Sequence, residues 1–161
     1  MSETSQNSIP HLLKASEIEA MPETAKVHFL NPQAVRHTKF ISDALGMSKL
    51  GIYLVRIEPG KKTTEFHFHH QEEEFIYILS GRGIAEIGDE EFEVASGDFM
   101  GFTAPSLPHC LRNPFDVDLV YLMGGERLSF DVCDYPRLKK RRYLANGDRQ
   151  LVDWDNLKLL G

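Results

Sequence analysis

His67-Phe68-His69-His70-Gln71-Glu72-Glu73-Glu74-Phe75-Ile76-Tyr77-Ile78-Leu79-Ser80-Gly81 is the stretch on which the fold turns. Two histidines stand at i and i+2, a spacing that puts both imidazoles on one face of a β-strand. A carboxylate follows five residues after His69, at the head of a dense apolar run that Gly81 ends, and Arg82-Gly83 completes a turn signal. A His-x-His pair with a nearby Glu is how a sheet presents a mixed nitrogen and oxygen site to a divalent metal. Histidines beside acidic residues also occur on solvated, salt-bridging edges. The apolar flanks favour the buried site, where paired imidazoles facing a carboxylate need a partner.

Composition sets the outer limits. With 161 residues the chain is long enough for one domain with its own core. Its two cysteines, Cys110 and Cys133, imply no disulfide framework, and the first residues lack the pattern of a secretory signal. The apolar runs are too short to span a bilayer, and a net charge of -6 argues against a general nucleic-acid binder. A cytoplasmic, single-domain protein is the expectation.

Outward from the central stretch, short strands dominate. Residues 1 to 10 are polar and expected to fray. A weak helix is predicted from His11 to Ala20, stopped by Pro22, with Ser16 and Glu19 as its capping pair. Residues 21 to 32 read as an extended, irregular wrap. His11, His28 and His37 lack ligand spacing and read as surface or packing residues. Strands are predicted at 39–45, 51–57, 62–69, 75–79, 82–87, 91–94, 99–102 and 117–123. Eight or more short strands make an antiparallel sandwich or barrel. His109 follows Leu107-Pro108, with two to three strands between it and Glu74, so the chain can return it beside the first pair.

These residues resemble the cupin family, whose fold is a double-stranded β-helix or jelly-roll barrel. The first family motif reads here Gly60-x6-His67-x-His69-x4-Glu74-x6-Gly81, one residue longer than usual between its first Gly and His. The second opens at Gly97-Asp98 and closes as His109-x3-Asn113. Ala104 and Ser106 replace its usual Pro and Gly. The resemblance implies an all-β cupin domain over residues 39–132, an irregular N-terminal extension over 1–38 that wraps the barrel, and a C-terminal extension over 133–161. It also implies one divalent transition metal, with Zn, Fe, Mn and Ni undistinguished, held by His67, His69, Glu74 and His109. Glu72 and Glu73 are rival carboxylates, and Glu74 alone keeps the six residues to Gly81.

Alternation would send Glu65 and Thr63 inward with the two histidines, and Phe66, Phe68 and His70 outward. Glu65 is therefore the candidate catalytic acid or base. The outward phenylalanines suggest cover by a second subunit in a homodimer or by the N-terminal wrap. Either Tyr53 or Arg56 faces the pocket, but not both, and Tyr121 reads as core. Five of the six residues 137–142 are basic, so this stretch is either a solvated edge paired with acidic residues or a site for an anionic substrate. Similar cupins imply a small-molecule enzyme of sugars or sugar phosphates, an isomerase. A mononuclear iron dioxygenase and a non-catalytic small-ligand binder are the alternatives. The fold alone does not choose among them.

Overall fold

Gly51 to Ile57, the run richest in β-branched and aromatic residues, lies in the middle of the largest sheet. The structure is a computed structural model that describes residues 10–160, so the expected fraying of residues 1 to 9 lies outside the described part. The elements in chain order are α1 (Ala15–Ala20), β1 (Thr24–His28), β2 (Asn31–Lys39), α2 (Ile41–Ala44), β3 (Leu50–Ile57), β4 (Phe68–His69), β5 (Glu74–Ser80) and β6 (Arg82–Ile87). They continue as β7 (Glu90–Ala95), β8 (Phe99–Phe102), β9 (His109–Arg112), β10 (Leu119–Glu126), β11 (Phe130–Tyr135), β12 (Lys140–Ala145) and β13 (Asp148–Asp153). The fold is all-β, as the short-strand pattern predicts.

The six-stranded sheet has the order β1-β2-β3-β10-β5-β8. Two smaller sheets, β13-β12-β11-β4 and β7-β6-β9, supply the opposite wall. The segment before β4 stitches these two together: Thr63 N–H donates to Leu111 O at 2.9 Å, and His67 and His109 exchange backbone hydrogen bonds at 3.1 and 2.8 Å. Ile57, Ile78, Leu111, Leu119 and Tyr121 fill the space between the walls, all essentially inaccessible to water. Each such aliphatic contributes about 1.5–3 kcal/mol by leaving water. Gly81 turns β5 into β6 at φ +78°, and a Cβ there would meet the Asp118 carbonyl oxygen at 2.2 Å. Only glycine fits that turn.

Four expectations need correction. Residues 39–45 are not a strand: β2 ends at Lys39 and α2 follows, a single turn closed by Gly46 at φ 66°. Tertiary bonds hold that turn. Ser42 Oγ accepts from the Ile52 amide at 2.9 Å and from Arg127 at 3.1 Å. Second, the irregular wrap expected over 21–32 is for the most part the start of the β1–β2 hairpin (24–39), and β2 pairs with β3. The exposed residues of β1 gave no apolar run to mark it. Third, residues 62–67 form isolated bridges rather than a regular strand. Fourth, the α1 terminus is capped by Glu17, whose carboxylate accepts from the Lys14 amide at 2.7 Å, not by Ser16 and Glu19. The sheets also run across the expected domain limits, because β2 reaches Lys39 and β11 spans Phe130–Tyr135.

Of the two outward phenylalanines, Phe66 finds cover within the chain and Phe68 is half-buried. Phe66 is buried beneath the Arg137 guanidinium, 3.8 Å from the ring centre, and His70 bonds Asp134 at 2.9 Å. The exposed apolar face lies elsewhere, on the outer side of β5 and β8, where Tyr77 opposes Phe99, and Phe75 stacks on Phe99.

Candidate metal centre

Glu74 opens β5 with the parity of Ile76 and Ile78, so its side chain enters the space between the sheets. Its Oε1 lies 2.7 Å from His109 Nε2 and 3.6 Å from His67 Nε2. The His67 ring centre lies 4.8 Å from that of His109 and 5.2 Å from that of His69. All three imidazoles are buried, and Phe102 stacks on His109 at 3.5 Å.

The outer ring nitrogens are all engaged. His67 Nδ1–H donates to the Glu65 carbonyl at 2.8 Å, His109 Nδ1–H to the Leu107 carbonyl at 3.1 Å, and His69 Nδ1–H to Asp131 Oδ2 at 2.6 Å. Carbonyl oxygens only accept, so the Nδ1 atoms of His67 and His109 carry protons and their Nε2 atoms face inward. Outer bonds of this kind fix the tautomer and orientation of metal-binding histidines. Ligand atoms of His67, Glu74 and His109 lie within 4.8 Å of one another, as do those of His67, His69 and Cys133. Ligands about 2.1 Å from a common ion sit about 3–4 Å apart. The grouping of His67, Glu74 and His109 has a donor set that fits a divalent transition metal, while His69, the fourth residue expected there, groups with His67 and Cys133 and also with Glu72 and Asp131.

Electrostatics keeps Glu74 ionised and His67 neutral, the ligand forms of both, while it favours charge on His69. Burial alone would raise the Glu74 carboxyl, but His109 and His67 hold it well below the usual range. Burial lowers His67, against the pull of Glu74, and so favours the neutral ring. Burial also opposes charge on His69, yet Asp131, Glu74 and Glu72 together raise it. Cys133 sits beside His69 across β4–β11, and burial pushes its thiol up to about 12, so it remains a protonated thiol and a weak donor.

The centre forms the floor of a cavity of about 450 Å³. Thr63, Tyr53 and Tyr121 line it, whereas Arg56 lies outside on Glu23 and Asp118. Of the described residues on the cavity wall, only Glu72 and Glu74 are carboxylates. Burial raises Glu72 to about 7. Glu73 is exposed and faces away.

Glu65 does not reach the cavity wall. Its carboxylate accepts from Asn31 Nδ2, and only its backbone carbonyl serves the centre, by orienting His67. The irregular path of 62–67 breaks the alternation that would have turned it inward. Asp131, which also accepts from the Gln71 amide at 3.1 Å, is the residue that sequence reasoning missed. Its signal, an Asp between Phe130 and Val132, gains meaning only when β11 pairs with β4. His28 lines the cavity without joining the donor set, His37 lies 3.3 Å from Glu58, and His11 is exposed.

Two antiparallel walls closed around buried histidines and a carboxylate define the class of double-stranded β-helix proteins with a central cavity. A family model described as "Cupin domain" matches residues 53–125. The crystal structure of an Acidithiobacillus ferrooxidans protein, provisionally named a sugar phosphate isomerase, superposes with a TM-score of 0.91 at 46% identity, covering 93% of this chain and 96% of that one. The chain belongs to the cupin family. A sugar phosphate isomerase from a cupin superfamily of Silicibacter pomeroyi matches with a TM-score of 0.79 and 24% identity over 92% of this chain and 96% of its own. At that identity the likeness shows the fold alone. An uncharacterized protein of Methanocaldococcus jannaschii is 36% identical over 80 residues, 50% of this chain and 56% of that one. The chain thus spans little more than half the length of the curated relative it matches. Among the described residues no helix is long and apolar enough to cross a membrane.

Proposed function

We propose that the protein is a metal-dependent enzyme acting on a sugar phosphate, with isomerisation between an aldose and a ketose as its reaction. The observation that carries this reading is the convergence of three imidazoles and Glu74, with their outer nitrogens engaged, on the floor of a cavity large enough for a small polyol. The 46% identity to a protein provisionally named a sugar phosphate isomerase supports it. His67, His69, Glu74 and His109 would hold the ion, which when bound polarises the substrate carbonyl.

The protein's own groups do the rest. Isomerisation removes a proton from the carbon beside the carbonyl and returns one to the neighbouring carbon, so one group must accept and then donate. Glu72 takes this role. It is the cavity carboxylate that does not lie between the imidazoles, and its pKa of about 7 suits both halves of the transfer. Asp131 holds the His69 ring, and Phe102 holds that of His109. The reading also includes a cytoplasmic setting and a homodimer. The exposed outer face of β5 and β8, with Phe99 64% accessible and Tyr77 beside it, supports the dimer.

The test is a screen of aldose and ketose phosphates in D2O with metal-loaded protein, followed by proton NMR. Deuterium entry at the carbon beside the carbonyl, lost on chelation and in Glu72→Gln, is the expected result. Oxygen uptake with a loaded iron protein and no deuterium entry would overturn the isomerase in favour of oxygen chemistry.

A further inference from the structure

Six of the nine arginines in the sequence (Arg56, Arg82, Arg112, Arg127, Arg137 and Arg141) each sit on a carboxylate. The other three are Arg36, Arg142 and Arg149, and all three line the cavity. Lys26 lines it with them. Among the described residues, neither Lys26, Arg36 nor Arg149 has a carboxylate within ion-pair reach. Arg142 reaches only Asp131, at 3.9 Å, and that carboxylate is already committed to His69 at 2.6 Å. Arg142 Nε is buried without a hydrogen-bond partner, and Arg36 Nη1 meets nothing better than Met123 Sδ at 3.7 Å.

The backbone builds this cluster on purpose-set registers. Lys26 faces Arg36 directly across β1–β2. Like charges opposite one another destabilise a hairpin, so the pair has a cost that the fold does not recover within itself. On the other side, His69, Cys133 and Arg142 form one row across β4, β11 and β12. That row sets Arg142 beside the histidine centre. Burial lowers the Lys26 ammonium, and the fields of Arg36, Arg149 and Arg142 lower it further, as expected of cations crowded together. In a chain of net charge -6, three cations without an ion-pair partner among the described residues, and a fourth that only shares one, surround one opening and call for an anion.

We infer that Lys26, Arg36, Arg142 and Arg149 form the subsite that holds the phosphate monoester of the substrate, while the histidine centre receives its reacting end. This rests on the sugar-phosphate reading and assigns its anionic group to named residues. A dianion with three terminal oxygens matches paired guanidinium forks and several positive charges. A single carboxylate would leave most of them unbalanced. Lys26 and Arg149 are exposed and Arg36 and Arg142 half-buried, so the two pairs would meet the anion first and hold it last.

Calorimetric titration of inorganic phosphate into metal-loaded protein decides the matter, with malonate as a parallel arm. Phosphate should bind the wild type, and Arg36→Gln and Arg142→Gln should each weaken it at least about tenfold. Lys26→Gln and Arg149→Gln, on exposed positions that leave folding intact, should weaken it measurably, and Arg82→Gln should not. His109→Ala should retain phosphate binding. The inference is overturned if the wild type binds no phosphate, if the four variants bind it as tightly as wild type, or if His109→Ala loses it while Arg142→Gln keeps it. Malonate binding as tight as phosphate would overturn the choice of a phosphate. The outcome is separable from the isomerase reading: phosphate bound through these cations without isomerisation keeps the subsite and removes the enzyme, and the converse result does the opposite.

Discussion

The floor and the rim of the cavity are built in opposite ways. At the floor, His67, His69, Glu74 and His109 come from the central part of the chain, and their outer ring nitrogens meet carbonyls or Asp131. At the rim, Lys26, Arg36, Arg142 and Arg149 come from the chain's two ends; among the described residues the first two and Arg149 have no ion-pair partner, and Arg142 only shares Asp131 with His69. A floor whose outer nitrogens are bonded holds its rings in fixed orientation, as a metal site requires. On the proposed reading, the rim's positive charge is met by an anionic ligand. On the same reading, the floor is the part that does chemistry and the rim the part that chooses what enters.

The largest expected effect breaks the floor while sparing the rim. Glu72→Gln should lower turnover by about 10²–10⁴-fold with phosphate binding intact, as steady-state kinetics beside calorimetry would show. Turnover within a factor of two of wild type would remove Glu72 from the proton transfer. Next comes Asp131→Asn. Losing the carboxylate that orients His69 should weaken metal affinity by about 10–100-fold, measured by competition with a chromophoric chelator. Undiminished affinity would mean that the His69 ring is held by its packing alone.

Smaller effects concern stability. Glu72 has its pKa raised by burial to about 7 from an ordinary 4.5. The folded state therefore binds more protons than the unfolded one between those values, and metal-free stability attributable to this group falls as pH rises through that window. Urea unfolding of Glu72→Gln against wild type should show a gain on the order of 1 kcal/mol at pH 8 that shrinks toward zero at pH 4. A gain independent of pH would contradict the burial of this carboxyl. The smallest effect belongs to the outer ion pairs. Arg82 and Glu93, 3.0 Å apart with both side chains about half exposed, should contribute under about 1 kcal/mol in a double-mutant cycle.

The same contrast explains what could be read before the fold was known. The floor was legible because its spacing is local: His-x-His, a carboxylate five residues on, and a histidine after one excursion of the chain. The antiparallel β class was legible from the period of short apolar runs. Asp131 and the rim were not, since their meaning depends on β11 meeting β4 and β2 meeting β3 across long separations. Glu65 and residues 39–45 misled for a related reason. Alternation holds only along a regular strand, and residues 62–67 follow bridges instead. The Lys39 to Leu45 run is converted to a helical turn by bonds from Ile52 and Arg127 that lie outside any local window. The basic stretch 137–142 divided in two: Arg137, Lys140 and Arg141 pair with acids, while Arg142 turns into the cavity.

Metal analysis of protein purified without added metal, beside a His109→Ala variant of verified fold, tests the central claim most directly. About one transition-metal ion per chain in the wild type, lost or strongly depleted in the variant, is the predicted result. No metal in the wild type even after loading, or equal metal in both proteins, would contradict it.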